Sequence, residues 1–229
     1  MSKISLVLLC KRPALGIGKQ RLAASLGMEV ARQIADALLD CALEDARNWP
    51  GPVVISPANQ EDVEWAQSLS VSNCFPVTVM PQVRGNLGQR LNALDRTLRA
   101  QGLEQLVFIG SDAPGLTAAD YEATREALQH DDVVLIPALD GGVVLMANRC
   151  NWPDLVALPW SSCRLGISLM DICRNTGKSV ATIKLGQDVD ELKDLIRQAS
   201  LLQQDQRPAR RRLLELIDRS ISSLRIPYD

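Results

Sequence analysis

Apolar residues in this chain fall into two alternating rhythms: short continuous runs, and longer stretches in which they recur every three or four positions. The runs at residues 4–10, 52–56, 77–80, 106–109, 133–136, 143–146 and 180–183 read as strands, dominated by Val, Ile and Leu. Helical spacing fills residues 28–47, where Val30, Ile34, Leu38 and Cys41 share one side, and returns over 87–100, 118–128, 167–174 and 191–202. Thr117 is placed to cap the helix at 118, and Gly177 to close the helix at 174. Strands alternating with helices predict parallel β-α-β units. The expected fold is therefore α/β: a single open, mostly parallel mixed sheet flanked by helices.

Residues 203–210 break the pattern. They are polar, contain Pro208 and read as a short hinge. Residues 210–224 then form an amphipathic helix with Leu213, Leu214, Ile217 and Ile221 inward. The expected division is a main domain over residues 1–205 and a C-terminal helical extension over 206–229. Arg210, Arg211 and Arg212 read as a solvated helix start, although the helix dipole disfavours cations there.

Composition narrows the function. A chain of 229 residues with 46% hydrophobic content can bury a core without covalent staples. A net charge of −2 and 3% aromatics argue against a nucleic-acid surface or a base-stacking platform. The six cysteines form no CxxC pair, and His130 is the single histidine, so no Cys/His metal cluster is expected. Free thiols in a reducing cytoplasm are the expectation. The apolar run at the N-terminus is shorter than the roughly 20 residues that span a bilayer, and no other segment is long enough.

In an open parallel sheet, ligands bind beyond the carboxyl ends of the strands. Polar motifs at those ends are therefore the candidates. The loop after the first strand carries Lys11, Gly16, Gly18, Lys19 and Arg21, with glycines for close backbone approach and cations for a polyanion. It is neither a Walker A loop, since Gln20 follows the lysine, nor a dinucleotide fingerprint, since Arg21 stands at the third glycine. Asp112 ends the strand at 106–109 and could hold a divalent cation or merely shape a turn. Asp140, Gly141 and Gly142 form a strong hairpin-turn signal. Asp188, Asp190 and Asp194 precede or open a helix, where acids cap backbone N–H groups; two acidic loops could instead share one metal.

The order of these motifs resembles a bacterial family of glycosyltransferases with a GT-A-like fold, associated with radical-SAM or selenoprotein-domain genes and in part with arsenosugar biosynthesis. The family pattern runs Lys-x-Pro-x-x-Gly-x-x-Lys-Thr-Arg-Leu, Gly-Asp-Leu-Gly-x-Arg, Gly-Thr-Asp-Ser-Pro-x-Leu, Asp-Gly-Gly-Tyr-Tyr-Leu, Trp-Ser-Thr and Asp-x-Asp-Thr-x-x-Asp-Leu. This chain offers residues 11–22, 85–90, 110–116, 140–145, 160–162 and 188–195 in the same order. The resemblance implies a Rossmann-like nucleotide-diphosphosugar transferase domain, with a nucleotide over the first strand. It implies Mg²⁺ or Mn²⁺ held by Asp112 and Asp190. It raises Asp140 to a group that binds the acceptor or acts as general base. It adds Gly85, Asn86, Gly88, Gly141, Gly142 and Trp160 to the nucleotide-binding set.

The departures are Gln20 for Thr, Asn86 for Asp, Val143 and Val144 for two Tyr, and Ser162 for Thr. Losing both tyrosines removes stacking surface and hydroxyls. Either the acceptor differs from the family's usual one, or activity has weakened while the fold persists. Three readings follow: glycosyl transfer from a nucleoside-diphosphate sugar to a small acceptor, nucleotidyl transfer releasing pyrophosphate, or nucleotide binding without catalysis. The partners are then a nucleotide or nucleotide sugar and a small molecule.

Overall fold

Why the runs at 4–10 and 106–109 lie at the centre is plain from their burial. Leu6, Val7, Leu8, Leu106 and Val107 are all 0% exposed, as strands covered on both faces must be. The computed structural model describes residues 3–69 and 71–223. Its seven strands are β1 Ser5–Cys10, β2 Val53–Pro57, β3 Val77–Val79, β4 Leu106–Ile109, β5 Val133–Pro137, β6 Val143–Asn148 and β7 Val180–Thr182. They form one sheet in the order β3-β2-β1-β4-β6-β5-β7.

The helices are α1 Gln20–Leu26, α2 Met28–Asn48, α3 Val63–Ser68, α4 Leu87–Ala100, α5 Ala118–Ala127, α6 Leu165–Asn175, α7 Leu192–Leu202 and α8 Pro208–Ser223. Every strand expected from the sequence is present, close to its expected bounds. The two short helices α1 and α3 escaped prediction because neither is long enough to show a period. Thr117 caps α5 reciprocally with Asp120, and Gly177, at φ 78°, follows the end of α6.

The expectation of parallel pairing holds for β1 with β2, β1 with β4, β2 with β3 and β5 with β7. The antiparallel member of the expected mixed sheet is β6, which runs between β4 and β5. The reason lies in residues 138–142. A connection this short can only reverse the chain, whereas a parallel return needs a dozen residues or more.

Helices cover both faces. Leu39, Leu43 and Ala46 of α2 join one core layer with Leu6, Leu8 and Val107. Leu91, Leu94 and Leu98 of α4 and Leu169 of α6 join the other with Val7 and Phe108. A third cluster lies outside the sheet. There Leu213 and Ile217 of α8 and Leu195 of α7 pack against Ile34, Leu38 and Cys41 of α2.

The C-terminal helix therefore belongs to the body of the molecule. The expected helix end at Leu224 lies outside the described residues. Arg211 and Arg212 are exposed as expected. Arg210 is not: its side chain is 0% exposed, because paired acids on α2 reach it from within.

Candidate active site

Strand order reverses between β1 and β4, whose register pairs Leu8 with Ile109. Chains leave such adjacent parallel strands in opposite directions, which opens a crevice beyond their carboxyl ends. A cleft of about 500 Å³ lies there, within the usual size of small-molecule sites. Its lining includes Lys11, Arg12, Gly18 and Lys19 after β1, and Asp112 after β4. Asp188 and Asp190 enter from the segment beyond β7.

The loop after β1 is shaped by a run of left-handed backbone. Gly16, Gly18 and Lys19 have φ of 73°, 70° and 45°. A Cβ on either glycine would meet nothing within 4 Å, so the glycines are there for conformation and not for room. Lys19 is the N-terminal boundary of α1 and pays backbone strain to be there. That turn aims its side chain across the sheet end. The ammonium donates to Asp112 Oδ2 at 3.3 Å, Asp190 Oδ1 at 2.9 Å and the Val189 carbonyl at 2.6 Å. Burial opposes the Lys19 charge, but Asp112 and Asp190 outweigh it and hold its pKa above the ordinary lysine value.

Two carboxylates distant in sequence therefore converge on a single cationic centre. The Val189 amide donates to the Asp112 carbonyl at 2.9 Å and locks the two segments side by side. Capping does not occupy Asp190: the backbone amides of Asp190 and Glu191 are taken by the Asp194 carboxylate. Asp190 is thereby left to face the cleft.

Asp188 joins them; motif reading had placed it in the acidic loop without giving it a role of its own. Burial, followed by the charges of Asp112, Asp140 and Asp190, pushes its carboxyl up to about 6. The signal was present in the spacing: Asp188 and Asp190 flank Val189, which is 0% exposed, so alternate side chains leave the same side of the chain.

Asp140 sits beside the cleft and not in its wall. Its Oδ1 accepts from the Gly142 amide at 2.8 Å, the turn role its sequence suggested. It lines a smaller pocket of about 230 Å³ that shares Asp188 and Asp190 with the main cleft and also takes in Arg21. Arg21 pairs there with Glu191 at 3.4 Å.

The remaining expected residues divide by task. Trp160 lines the cleft and donates its indole N–H to the Leu155 carbonyl at 3.0 Å. Asn86 caps α4 through a reciprocal box with Gln89 and donates from Nδ2 to the Val156 carbonyl at 3.0 Å, a bond an Asp carboxylate could not make. Gly88 is packed so closely that a Cβ would lie 2.2 Å from the Leu155 carbonyl. Gly141 is equally confined, with Cys163 O at 1.9 Å from its would-be Cβ, and Gly142 adjoins the Asp140 side chain. Gly85, Asn86, Gly88, Gly141 and Gly142 thus position neighbouring segments, whereas Arg90 and Ser161 reach the cleft. Ser161 stands at φ 62°, a conformation no sequence signal announced. Val143 and Val144, at the family's tyrosine positions, both line the cleft.

The chain can now be compared with known proteins. A family described as uncharacterized protein conserved in bacteria, DUF2064, matches residues 25–162. The chain belongs to this family. The DUF2064 match takes in the segments carrying Asn86, Asp112, Asp140 and Trp160, and stops short of the Lys19 loop and Asp190. Among solved structures, the chain is similar to a protein described as a nucleotide-diphospho-sugar transferase from Desulfovibrio desulfuricans G20. The identity is 21%, the TM-score 0.82, and the match covers 98% of each chain.

A cytidylyltransferase from Leptospira borgpetersenii serovar Hardjo-bovis matches with 11% identity and a TM-score of 0.57, over 100% of this chain and 99% of that one. The synthetase of CMP:2-keto-3-deoxy-manno-octonic acid, solved with CTP, matches with 11% identity and a TM-score of 0.51, over 88% and 99%. At these identities the shared property is the fold, that of the nucleotide-diphosphosugar transferases. No curated protein sequence matches the chain.

Proposed function

We propose that this chain is a metal-dependent transferase acting on a nucleotide-activated substrate, with glycosyl transfer from a nucleoside-diphosphate sugar to a small acceptor as its reaction. The observation that carries the reading is the convergence of Asp112 and Asp190 on one cation, the Lys19 ammonium, at the mouth of the β1/β4 cleft. The fold and the motif resemblance to radical-SAM- or selenoprotein-domain-associated and arsenosugar-type transferases point the same way.

The donor set fits Mg²⁺ or Mn²⁺. Both ions favour carboxylate oxygens, and Mg²⁺ is commonly held by one or two carboxylates plus substrate phosphates and water. Among the described residues no group of three or more His, Cys, Asp or Glu side chains forms a metal cage, which suits a site completed by the ligand. The cluster also carries excess negative charge, since Asp188 and Asp140 lie within electrostatic reach. When bound, the metal would neutralise charge building on the leaving diphosphate.

The chain's own residues do the rest. Lys11, Lys19 and Arg21 bind phosphate oxygens, helped by backbone N–H groups of the loop at Gly16 and Gly18. Lys19 turns from the carboxylates to the phosphates as the ligand arrives. Asp140 orients the acceptor or accepts its proton, next to Asp188. Val143 and Val144 give the cleft an apolar wall suited to an acceptor less polar than one held by two tyrosines. Free thiols at all six cysteines suit a reducing cytoplasm.

The test is calorimetric titration with nucleoside diphosphates and nucleotide sugars, with and without Mn²⁺. Metal-dependent binding that Asp112→Asn abolishes is the expected result; binding indifferent to both would refute the reading. Product analysis separates the chemistries. Release of nucleoside diphosphate marks glycosyl transfer, pyrophosphate marks nucleotidyl transfer, and tight binding without product marks a protein that binds only.

A further inference from the structure

The loop that carries Asp112 has a second side, and the charges behind it have no part in ligand binding. Residues 110–117 connect β4 to α5. Asp112 faces the cleft, while the carbonyls of Pro114 and Leu116 face α8. Arg210, fully buried, donates from Nε to the Pro114 carbonyl at 3.1 Å. Its Nη1 donates to the Cys41 carbonyl at 2.6 Å and Glu44 Oε2 at 3.0 Å, and its Nη2 to Asp45 Oδ2 at 2.6 Å. Arg207 donates from Nη1 to the Leu116 carbonyl at 2.8 Å and to Asp45 Oδ1 at 3.2 Å. Tyr121 completes the group by donating to Asp45 Oδ2 at 2.8 Å.

We infer that Arg207 and Arg210 are positioning residues for the cleft carboxylates, tying the back of the Asp112 loop to α2. The inference rests on the reading of Asp112 and Asp190 as cation ligands. The connection is continuous. Glu44 and Asp45 on α2 fix the two guanidinium groups, and these fix the carbonyls at 114 and 116. The loop so held presents the Asp112 carbonyl to the Val189 amide, which sets Asp190.

Two carboxylates aimed at one point repel each other, so something must hold their segments in place. A guanidinium suits that work. Its planar fork reaches a carbonyl and a carboxylate together, whereas a lysine offers a single point of charge. Burial works against the charge on Arg210, but Asp45 and Glu44 outweigh it and keep the group ionised. The two arginines face three carboxylates, since Asp205 Oδ2 also pairs with Arg207 Nη2 at 2.7 Å, and the cluster meets the Asp112 loop at its carbonyls. Its effect on the site is geometric.

The test compares Arg207→Gln with Ile217→Ala. Ile217 is a buried residue of α8, the helix that Arg207 immediately precedes, and packs against α2. Arg207 is 27% exposed, so its loss leaves the core intact. Mn²⁺ affinity is read by electron paramagnetic resonance, and exchange of the Val189 amide by NMR, normalised to the Val7 amide of β1. Arg207→Gln should weaken Mn²⁺ at least fivefold and raise normalised Val189 exchange at least tenfold. Ile217→Ala should lower the melting temperature yet keep both readouts within twofold. Wild-type protection at Val189 in Arg207→Gln overturns the positioning role whatever the metal does. So does a loss in Ile217→Ala as large as in Arg207→Gln. Failure of wild type to bind Mn²⁺, with Val189 protection still lost in Arg207→Gln, refutes the metal reading and leaves the positioning role standing.

Discussion

The Asp112 loop separates two groups of charges built on opposite plans. In front, Asp112, Asp140 and Asp190 lie within electrostatic reach of Asp188, and the Lys19 ammonium sits between Asp112 and Asp190. Asp112 and Asp190 are 39% and 48% exposed. Behind, Arg207 and Arg210 face Glu44, Asp45 and Asp205, with Arg210 at 0% exposure and Asp45 at 7%.

The front group is unbalanced and wet, and its ion pairs contribute on the order of 0–1 kcal/mol, as pairs with exposed partners do. It can release its cation and accept another. In the rear group Arg210 and Asp45 are buried, and removing a buried partner would strand a charge at a cost of about 3–5 kcal/mol. One cluster is built to exchange partners and the other to keep them. Exposure of the charged partners, more than the number of ion pairs, marks the side proposed as functional.

The largest effect expected is on the rear group. Arg210→Met should lower unfolding free energy by about 3–5 kcal/mol in urea titrations, because Glu44 loses its arginine and buried Asp45 is left to Arg207 and Tyr121. A loss below about 1 kcal/mol would erase the distinction between the two clusters. The next effect belongs to the front. Replacing Lys19 and Arg21 together by Ala should cost diphosphate binding about 1.5–3 kcal/mol for each charge-assisted bond lost. Stability should change by no more than about 1 kcal/mol. Unaltered calorimetric affinity in a folded double variant would remove the loop from the phosphate site.

Lys19→Met sharpens the comparison further. Without nucleotide it should raise Mn²⁺ affinity by roughly tenfold, about 1.4 kcal/mol, because the resident cation is gone. If Mn²⁺ binds more weakly instead, Lys19 is not competing for the metal position. The smallest effect concerns thiols. Burial pushes Cys10 and Cys41 up to about 12 and Cys173 to about 11, while Cys74 and Cys163 are exposed. Native protein at pH 8 should label at Cys74 and Cys163 within minutes and at the three buried thiols only after unfolding. Mass spectrometry of the labelled peptides distinguishes the two sets.

Much of the site was legible as motif and little of it as geometry. The glycines of the loop after β1 declared themselves by spacing after the first strand, and their positive φ agrees with the conformational freedom that singled them out. Asp112 was legible as the polar end of a buried strand. Asp188 was not singled out, although its alternation with Val189 carried the signal. Asn86 looked like a lost charge in a binding motif. In the structure it caps α4 and donates its amide to the Val156 carbonyl, so the Asn has a structural use of its own. Arg210 was misread outright, because a basic triplet at a helix start has the pattern of solvated charge. Its partners, Glu44 and Asp45, lie more than 160 residues earlier on a face of α2 that local periodicity does not single out.

The sequence by itself determined the strands, the longer helices, several of their caps and the reversal at residues 138–142. Each of these depends on side-chain spacing or backbone preference within a few neighbouring residues. Tertiary structure decided which charges meet. Lys19 finds Asp112 across 93 positions and Asp190 across 171, and it does so because β1 and β4 are neighbours and the segment after β7 returns beside them. Coulomb attraction over a few ångströms then turns separate motifs into one centre, and that proximity is a property of sheet order, which no local window contains.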